Sequence, residues 1–381
     1  MKNRIVVACL AVTMLGVLPA KRVAAQNSGD AGEGRGVGAV FVMTNSAEKN
    51  EVIAFTRAAD GSLQEFGSFA TGGRGSGGKT DPLESQGALT LSQDHQLLLA
   101  VNAGSGEISV FGVEGATLSL IDRESSGGSE PNSIAQSGNL VYVLNTGASS
   151  EVVGFHLHRG HLEQIPNSTR FLSTNTSGAA SIAFSPNGKF LAVVERLTNN
   201  IDIFGVQADG SLAPFVATPS AGPGGFSGQF APNGALIVSE TGAAGVPNGS
   251  AVSSYTVNGD GTLSAISATV PTLGAANCWN AITPDGRFVY TGNSASANIS
   301  GFAIGINGIL TPLPGPVVGS NPPGAVNLDL AITADGKFLY SLNSGNGSIG
   351  IFAIQKDGTL TNVTPVSGLP ASAGLQGIAA Y

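Results

Sequence analysis

Three carboxylates and one arginine are the residues of this chain best suited to acid–base chemistry. Glu195 and Arg196 are adjacent, whereas Glu240 and Asp329 follow at wide intervals. A carboxylate can activate water as a general base and an arginine can stabilise an oxyanion, so together they could hydrolyse an ester. Because the four residues are far apart in sequence, this role requires a fold that returns them all to one place.

A second group of residues could bind a polar ring. Trp279 is the only tryptophan, and its indole could stack on a sugar or an aromatic ligand; the alternative is packing inside the core. Asn280 follows it directly. Other candidate ligand-binding amides recur at one repeated position, namely Asn102, Asn145, Asn293 and Asn343. The alternative for these amides is hydrogen bonding to the backbone of the next loop.

Composition indicates the elements that position these residues. The 381 residues include 55 glycines, and only 11% are charged. Coiled coils and most helical folds need more charged residues, and collagen needs glycine at every third position. Frequent short apolar blocks argue against disorder. An all-β chain with many tight turns remains, long enough for two average domains or one repeat domain.

A strand–turn–strand unit recurs along the chain. Each copy has an apolar strand, a turn that usually contains Asn-Gly or Asp-Gly, and a second alternating strand. Asn or Asp followed by Gly tolerates positive φ and therefore favours a tight hairpin. The clearest copies are residues 88–103, 181–196, 279–294 and 329–344.

A second pair of strands follows each copy and contains an aromatic anchor. The anchors are Phe55, Phe111, Phe155, Phe204, Tyr255, Phe302 and Phe352. Their spacing of 44 to 56 residues predicts a four-stranded unit repeated seven times, which is typical of β-propeller blades. The longest spacing, after Phe55, includes the glycine-rich residues 71–79, which we interpret as a flexible inter-blade loop.

The two ends of the repeat region complement each other. Residues 38–46 match the second strand of the unit without a first strand, and residues 375–381 match only a first strand. We therefore predict that residues 37–381 form a single all-β, seven-bladed propeller, closed by the C-terminal strand pairing into the first blade. Six or eight blades, or two β-sandwiches, are the alternatives.

Propeller geometry predicts a shared location for the chemical residues. The Asn-Gly and Asp-Gly hairpins lie on one face, whereas the first strands start and the second strands end around the channel mouth on the opposite face. At the second-strand ends, Glu195 and Glu240 interrupt a ring of asparagines that begins with Asn45. Trp279 and Asp329 interrupt a ring of small residues at the first-strand starts. The alternatives are a surface pair of Glu195 with Arg196, and a structural hydrogen-bond acceptor at Asp329.

The N-terminus predicts export to the periplasm or the medium. Residues 1–25 have a basic start, a 14-residue apolar run and small residues before a cleavage point, as in a signal peptide, and residues 26–36 form a flexible segment. Cleavage leaves 13 basic and 25 acidic residues, a formal charge of −12. This charge disfavours nucleic acid and anionic membranes as partners. Cys278 would be the sole thiol, so no intrachain disulfide can form.

We predict no metal site and no cofactor. Three carboxylates on one rim could coordinate Ca²⁺, but no Asp-x-Asp-x-Asp loop accompanies them. His156 and His158 share one face of a strand, yet the outer hairpin that carries them is more typical of a solvated turn. Residues 71–79 lack the Gly-Lys-Ser/Thr ending of a phosphate loop.

The blades resemble those of the seven-bladed lactonase propellers, the family of bacterial 6-phosphogluconolactonase and fungal muconate cycloisomerases. Residues 185–201, residues 283–294 and the recurring Asp-Gly-x-Leu ends carry the resemblance. The family implies Gly-Pro-Arg-His before the first strand of the central blade and Asn-Glu-Leu after the second. Here residues 178–181 read Gly-Ala-Ala-Ser, and residues 195–197 read Glu-Arg-Leu.

Two functions follow from these observations. The resemblance implies an exported hydrolase of a sugar lactone or similar cyclic ester, with chemistry by Glu195, Arg196, Glu240 and Asp329. The absent arginine and histidine favour the alternative, a non-catalytic propeller that binds a small ligand or a protein. In both cases we expect a monomer with a small polar ligand at the channel mouth.

Overall fold

The computed structural model describes residues 37–381, and every regular element in this range is a β-strand. The predicted signal peptide (1–25) and the segment 26–36 lie outside the described residues. Seven antiparallel sheets form blades 1 to 7. Blade 1 contains β1 (Gly38–Met43), β2 (Glu51–Arg57) and β3 (Leu63–Ala70); blade 2 contains β4 (Leu89–Leu91), β5 (Leu97–Asn102), β6 (Glu107–Glu114) and β7 (Thr117–Ser125).

The following blades repeat this plan. Blade 3 contains β8 (Pro131–Ser137), β9 (Leu140–Asn145), β10 (Glu151–His158), β11 (His161–Gln164) and a short β12 (Arg170–Phe171) that also pairs with β10. Blade 4 contains β13 (Ala179–Phe184), β14 (Phe190–Glu195), β15 (Asn200–Gly205) and β16 (Val216–Pro219). Blade 5 contains β17 (Gly225–Phe230), β18 (Leu236–Glu240), β19 (Ala251–Val257) and β20 (Leu263–Pro271).

Blades 6 and 7 complete the ring. Blade 6 contains β21 (Asn277–Ile282), β22 (Phe288–Asn293), β23 (Asn298–Ile304) and β24 (Leu310–Ser320). Blade 7 contains β25 (Asn327–Ile332), β26 (Phe338–Asn343), β27 (Ser348–Ile354) and β28 (Leu360–Ser367). The C-terminal β29 (Ile378–Ala380) is the innermost strand of blade 1. The inner strands touch in the cyclic order β29, β4, β8, β13, β17, β21, β25 and back to β29.

The predicted all-β, seven-bladed propeller and its closure are therefore confirmed. Strand β29 pairs antiparallel with β1, with Phe41 opposite Ala379. Arg57 donates from Nε to the carbonyl oxygen of Tyr381 at 3.2 Å, which fastens the last residue to blade 1. Because β29 covers the inner edge of β1, that edge is not left open for aggregation.

The hairpin turns form as their sequences predict. In blade 6, Asp285 Oδ1 accepts hydrogen bonds from Thr283 Oγ1 at 2.7 Å and from the Arg287 backbone N–H at 3.1 Å. Gly286 adopts a φ of +70°, which strains most other residues. The turn reverses the chain, so the second strand runs antiparallel to the first and returns to the mouth face. The start of the first strand therefore lies opposite the end of the second strand, as Asn277 lies opposite Asn293.

Apolar contacts between blades make the core. All seven aromatic anchors are at most 2% exposed. Three tyrosine hydroxyls, those of Tyr142, Tyr290 and Tyr340, each donate to the glycine carbonyl of an Asp-Gly turn in the following blade at 2.7 to 2.9 Å. The last of these bonds reaches Gly61 of blade 1 and so bridges the point of closure. Residues 37–381 contain no helix, and hence none that could cross a membrane.

Candidate functional site at the channel mouth

A short segment between blades 1 and 2 fills the channel. We call residues 81–87 the plug. The Gln86 backbone N–H donates to the carbonyl of Ala180 in blade 4 at 2.8 Å. Its side-chain amide donates to the Asn280 carbonyl at 2.7 Å and accepts from the Asn280 backbone N–H at 3.1 Å, in blade 6. Ser227 of blade 5 donates to the same amide oxygen. The plug thus joins three blades across the ring.

Trp279 and Asn280 lie beneath the plug. The Trp279 indole N–H donates to the Ser85 carbonyl at 2.9 Å, and its ring packs edge-on against Phe226 at 5.1 Å between centroids. Only 1% of Trp279 is exposed. Asn280 is fully buried and donates from Nδ2 to Ser239 Oγ at 3.2 Å. Trp279 therefore bonds to the plug, and Asn280 bonds to the neighbouring blade 5. The buried indole has no free face on which a ligand could stack.

Glu195 and Glu240 are fully buried at the joints between blades. Glu195 accepts hydrogen bonds from the Ser173 backbone N–H at 3.0 Å and from the hydroxyls of Ser173 and Thr198. Glu240 accepts from the Gly222 backbone N–H at 2.7 Å and from Ser253 Oγ at 2.8 Å. Burial raises the pKa of Glu240 while these donors lower it. Each carboxylate therefore binds the loop that connects the preceding blade to its own blade.

The ring asparagines bond within the protein in the same way. All four are fully buried: Asn102 donates to Ser109 Oγ, Asn145 to the Ser126 carbonyl, Asn293 to Ser300 Oγ and Asn343 to Ser348 Oγ, at 2.8 to 3.2 Å. Strand register corrects the blade 1 member of the ring. The Thr44 backbone N–H donates to the Glu51 carbonyl, which places Thr44 opposite Glu51 just as Asn102 lies opposite Glu107. Thr44, and not Asn45, is therefore the blade 1 residue equivalent to Asn102. Three of these four amides bond to serine hydroxyls on the adjacent third strand, and Asn145 bonds to a backbone carbonyl that precedes its own strand. The contacts are structural, but they differ from the expected bonds to the backbone of the next loop.

Asp329 lies deep in the mouth and joins blade 7 to the closing strand. Its Oδ1 accepts from the Leu330 backbone N–H at 2.8 Å, and its Oδ2 accepts from the Ile378 backbone N–H at 3.2 Å. Burial raises the pKa of Asp329 to about 8 despite these donors, and the charge of Asp81 adds to the rise. Asp329 and the plug carboxyl Asp81 therefore lie close enough to repel each other.

Asp81 is the half-buried carboxyl of this mouth. Gln376 donates from Nε2 to Asp81 Oδ1 at 2.8 Å, and Gln376 also accepts from the Leu83 backbone N–H at 3.0 Å. Burial raises the pKa of Asp81 to about 7, and the charge of Glu84 acts in the same direction. An accessible carboxyl that titrates near neutrality is suited to act as a general base.

Arg196 faces the plug and not Glu195. Its guanidinium forms an ion pair with Glu84, an exposed residue of the plug. The charge of Arg196 also lowers the pKa of Asp81, so these side chains share one electrostatic environment. Arg196 and Asp329 thus lie near the plug residues Asp81 and Glu84. Sequence reasoning missed these last two residues, although the long spacing after Phe55 was a sign of extra chain there.

Other candidate centres lie apart from the mouth. His156 and His158 are neighbours at 5.9 Å on an outer strand, and His161 approaches Asp122 at 3.8 Å. Within residues 37–381, no group of three or more histidine, cysteine or acidic side chains is arranged to hold a metal ion. Cys278 is buried with a free thiol, and burial raises its pKa well above the ordinary value, so it is not a ready nucleophile.

The chain matches the family model described as "Lactonase, 7-bladed beta-propeller" over residues 41–171 and 148–240, more than half of its length. It belongs to this lactonase family. No curated protein sequence matches the chain significantly. The family assignment agrees with the resemblance stated above and with the seven blades of the fold.

Solved structures share the propeller at low sequence identity. A candidate 6-phosphogluconolactonase from Bacteroides uniformis is 18% identical, with a TM-score of 0.68 over 90% of this chain and 99% of that one. A periplasmic gluconolactonase from Pseudomonas aeruginosa is 17% identical, with a TM-score of 0.64 over 89% and 99%. Hydrazine synthase from Kuenenia stuttgartiensis is 18% identical, with a TM-score of 0.57 over 77% and 88%. Proteins with different activities thus share the fold.

Two small residues of blade 4 stand where the family resemblance implies larger ones, and the first of them bonds to the plug. Ala180, in place of the implied arginine, accepts the backbone hydrogen bond of Gln86 at 2.8 Å. Ser181, in place of the implied histidine, donates to the Phe226 carbonyl at 3.1 Å.

Proposed function

We propose that this lactonase-family propeller is an exported hydrolase of sugar lactones or similar small cyclic esters. The site would be the mouth beside the plug, where Asp81 and Arg196 meet. The observation that carries the proposal is a half-buried carboxyl with a pKa of about 7 in the same charged cluster as an arginine. The proposal of export rests on the signal-peptide pattern of residues 1–25.

The proposed chemistry assigns one step to each group. Asp81 accepts a proton from water as the water oxygen attacks the lactone carbonyl. Arg196 leaves Glu84 to stabilise the negative oxygen of the tetrahedral intermediate. The ring C–O bond then breaks, and the proton on Asp81 passes to the departing ring oxygen. Gln376 holds Asp81 in place at 2.8 Å throughout.

The other predicted catalytic and ligand-binding residues take supporting roles in this proposal. Glu195 and Glu240 position loops, because their carboxylates are fully buried and bonded to neighbouring hydroxyl and N–H groups. Asp329 anchors the closing strand through the Ile378 backbone N–H. We further propose that the protein acts as a monomer on a small polar molecule. Its acidic charge disfavours nucleic acid and membranes as partners.

Lactone hydrolysis by the purified protein tests the proposal. We expect turnover of five- or six-membered lactones above the spontaneous rate, with kcat/KM rising tenfold per pH unit below about 7 and constant above. Asp81→Asn should lower kcat by at least about 100-fold, and Arg196→Gln by about 100-fold. The matched control is Asp260→Asn in an exposed turn, which should keep wild-type kinetics. Turnover that survives Asp81→Asn contradicts the assignment.

A second candidate function is ligand binding without turnover. The favouring observation is that Gln86, only 6% exposed, seals the channel by bonds to blades 4, 5 and 6. A ligand would then rest on the plug without entering the channel. A saturable rise in melting temperature with an intact lactone or sugar acid, and no product formed, distinguishes this function from hydrolysis.

A further inference from the structure

Blade 4 contains two buried acids where blades 2, 5 and 6 pair a hydrogen-bond donor with an acceptor. By strand register, Asp202 of β15 is equivalent to Ser109, Ser253 and Ser300 of blades 2, 5 and 6. In those blades the serine hydroxyl bonds the side chain at the second-strand end at 2.8 Å. In blade 4 the second-strand end is Glu195, so a carboxyl faces a carboxyl.

Asp202 lacks any hydrogen-bond donor. It is fully buried, and neither carboxyl oxygen has a hydrogen-bond partner among the described residues. Burial raises the pKa of Asp202 to about 8, and the neighbouring charge of Glu195 acts in the same direction. A buried carboxylate without donors or a counter-charge is costly, so Asp202 either keeps a proton or needs a bound cation to offset its charge.

No cationic side chain serves this purpose. Among residues 37–381, neither Glu195 nor Asp202 takes part in an ion pair. Arg196 is adjacent in sequence, but its guanidinium points to the plug and pairs with Glu84. The pair is therefore short of positive charge.

The surroundings of the pair are rich in oxygen. The hydroxyls of Ser173 and Thr198 both contact Glu195. The serines equivalent to Asp202 in blades 2 and 6 donate to the carbonyls of Thr71 and Thr272 at 2.8 Å. Leu172 is the equivalent residue at this joint, because its backbone N–H makes the same bond to the preceding strand. By analogy with Thr71 and Thr272, we expect its carbonyl at the Asp202 position.

We propose that Glu195 and Asp202 form a binding site for one hard divalent cation, best suited to Ca²⁺. The two carboxylates, the hydroxyls of Ser173 and Thr198 and the carbonyl of Leu172 offer up to seven oxygen ligands, within the six to eight that Ca²⁺ takes. Neighbouring ligands of an ion held at about 2.4 Å lie near hydrogen-bonding distance from each other, so only small side-chain shifts are needed. The ion would fasten blade 4 to the last strand of blade 3.

Calcium titration of the purified protein tests the site. After treatment with EDTA at pH 8.5, calorimetry with CaCl₂ should show one ion per chain, and saturating Ca²⁺ should raise the melting temperature by about 4 °C. MgCl₂ should bind more weakly, because Mg²⁺ demands near-octahedral geometry and retains its water. Absence of calcium binding by the EDTA-treated protein overturns the proposal.

Blades 2 and 6 show which side chains can replace Glu195 and Asp202 in a variant. The double variant Glu195→Asn/Asp202→Ser installs the pair found in blades 2 and 6 and should fold but not respond to Ca²⁺. Asp202→Asn, which can donate to Glu195, is a second variant and should also lose binding. The matched control Glu240→Asn alters the carboxylate of blade 5 and should keep the calcium response, even if its melting temperature is lower.

Two outcomes contradict the proposal. If the double variant takes up calcium as well as the wild type, the ion binds elsewhere. If the melting temperature depends on pH through Asp202 but not on calcium, the two carboxyls hold only a shared proton.

Discussion

At the scale of single residues, burial divides the acidic side chains into two groups. In exposed turns, Asp60, Asp209, Asp260 and Asp357 accept bonds from a serine or threonine two residues later, which lowers their pKa. In the interior, desolvation raises the pKa of Asp81, Asp202 and Asp329 instead. The turn acids therefore fix the hairpins, whereas the interior acids make the protein sensitive to pH.

Stability should fall as the pH rises through the neutral range. An aspartate titrates near 3.8 in the unfolded chain but at about 8 at Asp329 in the folded protein. Between these values the folded state binds more protons than the unfolded state, so the free energy of unfolding decreases with rising pH. Chemical denaturation, with EDTA present throughout, should show a loss of about 1 kcal/mol or more between pH 5 and pH 8.

Asp329→Asn isolates this effect. Asparagine cannot ionise, so the variant should lose less stability than the wild type over the same pH range. Asp357→Asn, in an exposed turn, is the control and should leave the slope unchanged. An Asp329→Asn profile as steep as that of the wild type contradicts the assignment of the slope to this carboxyl.

At the scale of elements, the plug is the feature that distinguishes this propeller. Seven inner strands leave a channel, and polar groups on their inward faces must find partners there. Gln86 satisfies the backbone groups of Asn280, while Ser85 accepts the Trp279 indole N–H. One inter-blade connection thus stabilises the far side of the ring as well as carrying the proposed general base.

Gln86→Ala should destabilise the protein by about 2–3 kcal/mol. The substitution leaves the Asn280 N–H and carbonyl without their partners in a buried site, and each unpaired group costs about 1–3 kcal/mol. Urea denaturation measures the change. Gln93→Ala on the hairpin face is the control and should stay within about 0.5 kcal/mol of wild type. Equal effects of the two variants would mean that the plug is not part of the cooperative core.

At the scale of the whole molecule, closure joins the two ends of the propeller. Only a three-residue strand, β29, completes blade 1, but it also contacts the inner strands of blades 2 and 7. The hydroxyl of Tyr340 reinforces the same joint through Gly61 at 2.9 Å. Opening this joint exposes the edge of β1 and the apolar faces on both sides of it.

Removal of residues 375–381 should therefore prevent stable folding or lower the melting temperature by more than about 10 °C, unlike the loss of an ordinary terminus. Tyr340→Phe serves as the comparison, because it deletes a single hydrogen bond at this joint and should cost about 1 kcal/mol. Thermal unfolding followed by circular dichroism measures both. A truncated protein that melts within two degrees of the parent would contradict the importance of closure.

The sequence by itself determined the blades, their number and their closure. These features arise from local chemistry that repeats: Asp-Gly turns, alternating strands, one aromatic anchor per unit and complementary end segments. The expectation that Arg196 and Asp329 lie at the mouth came from the same repeat, because equivalent positions in equivalent blades lie on the same face. A deviation from the repeat, such as an acid in place of an asparagine, was also visible.

Only the tertiary structure decided what each deviation does. Residues 81–87 have no repeat partner, so nothing in their sequence indicates that they cross the channel and bond to blades 4, 5 and 6. The partner of Arg196 proved to be Glu84, more than a hundred residues earlier, and Glu195 proved to face Asp202. Such contacts depend on the position of side chains across the ring, and their energy depends on burial, which a single sequence does not specify residue by residue.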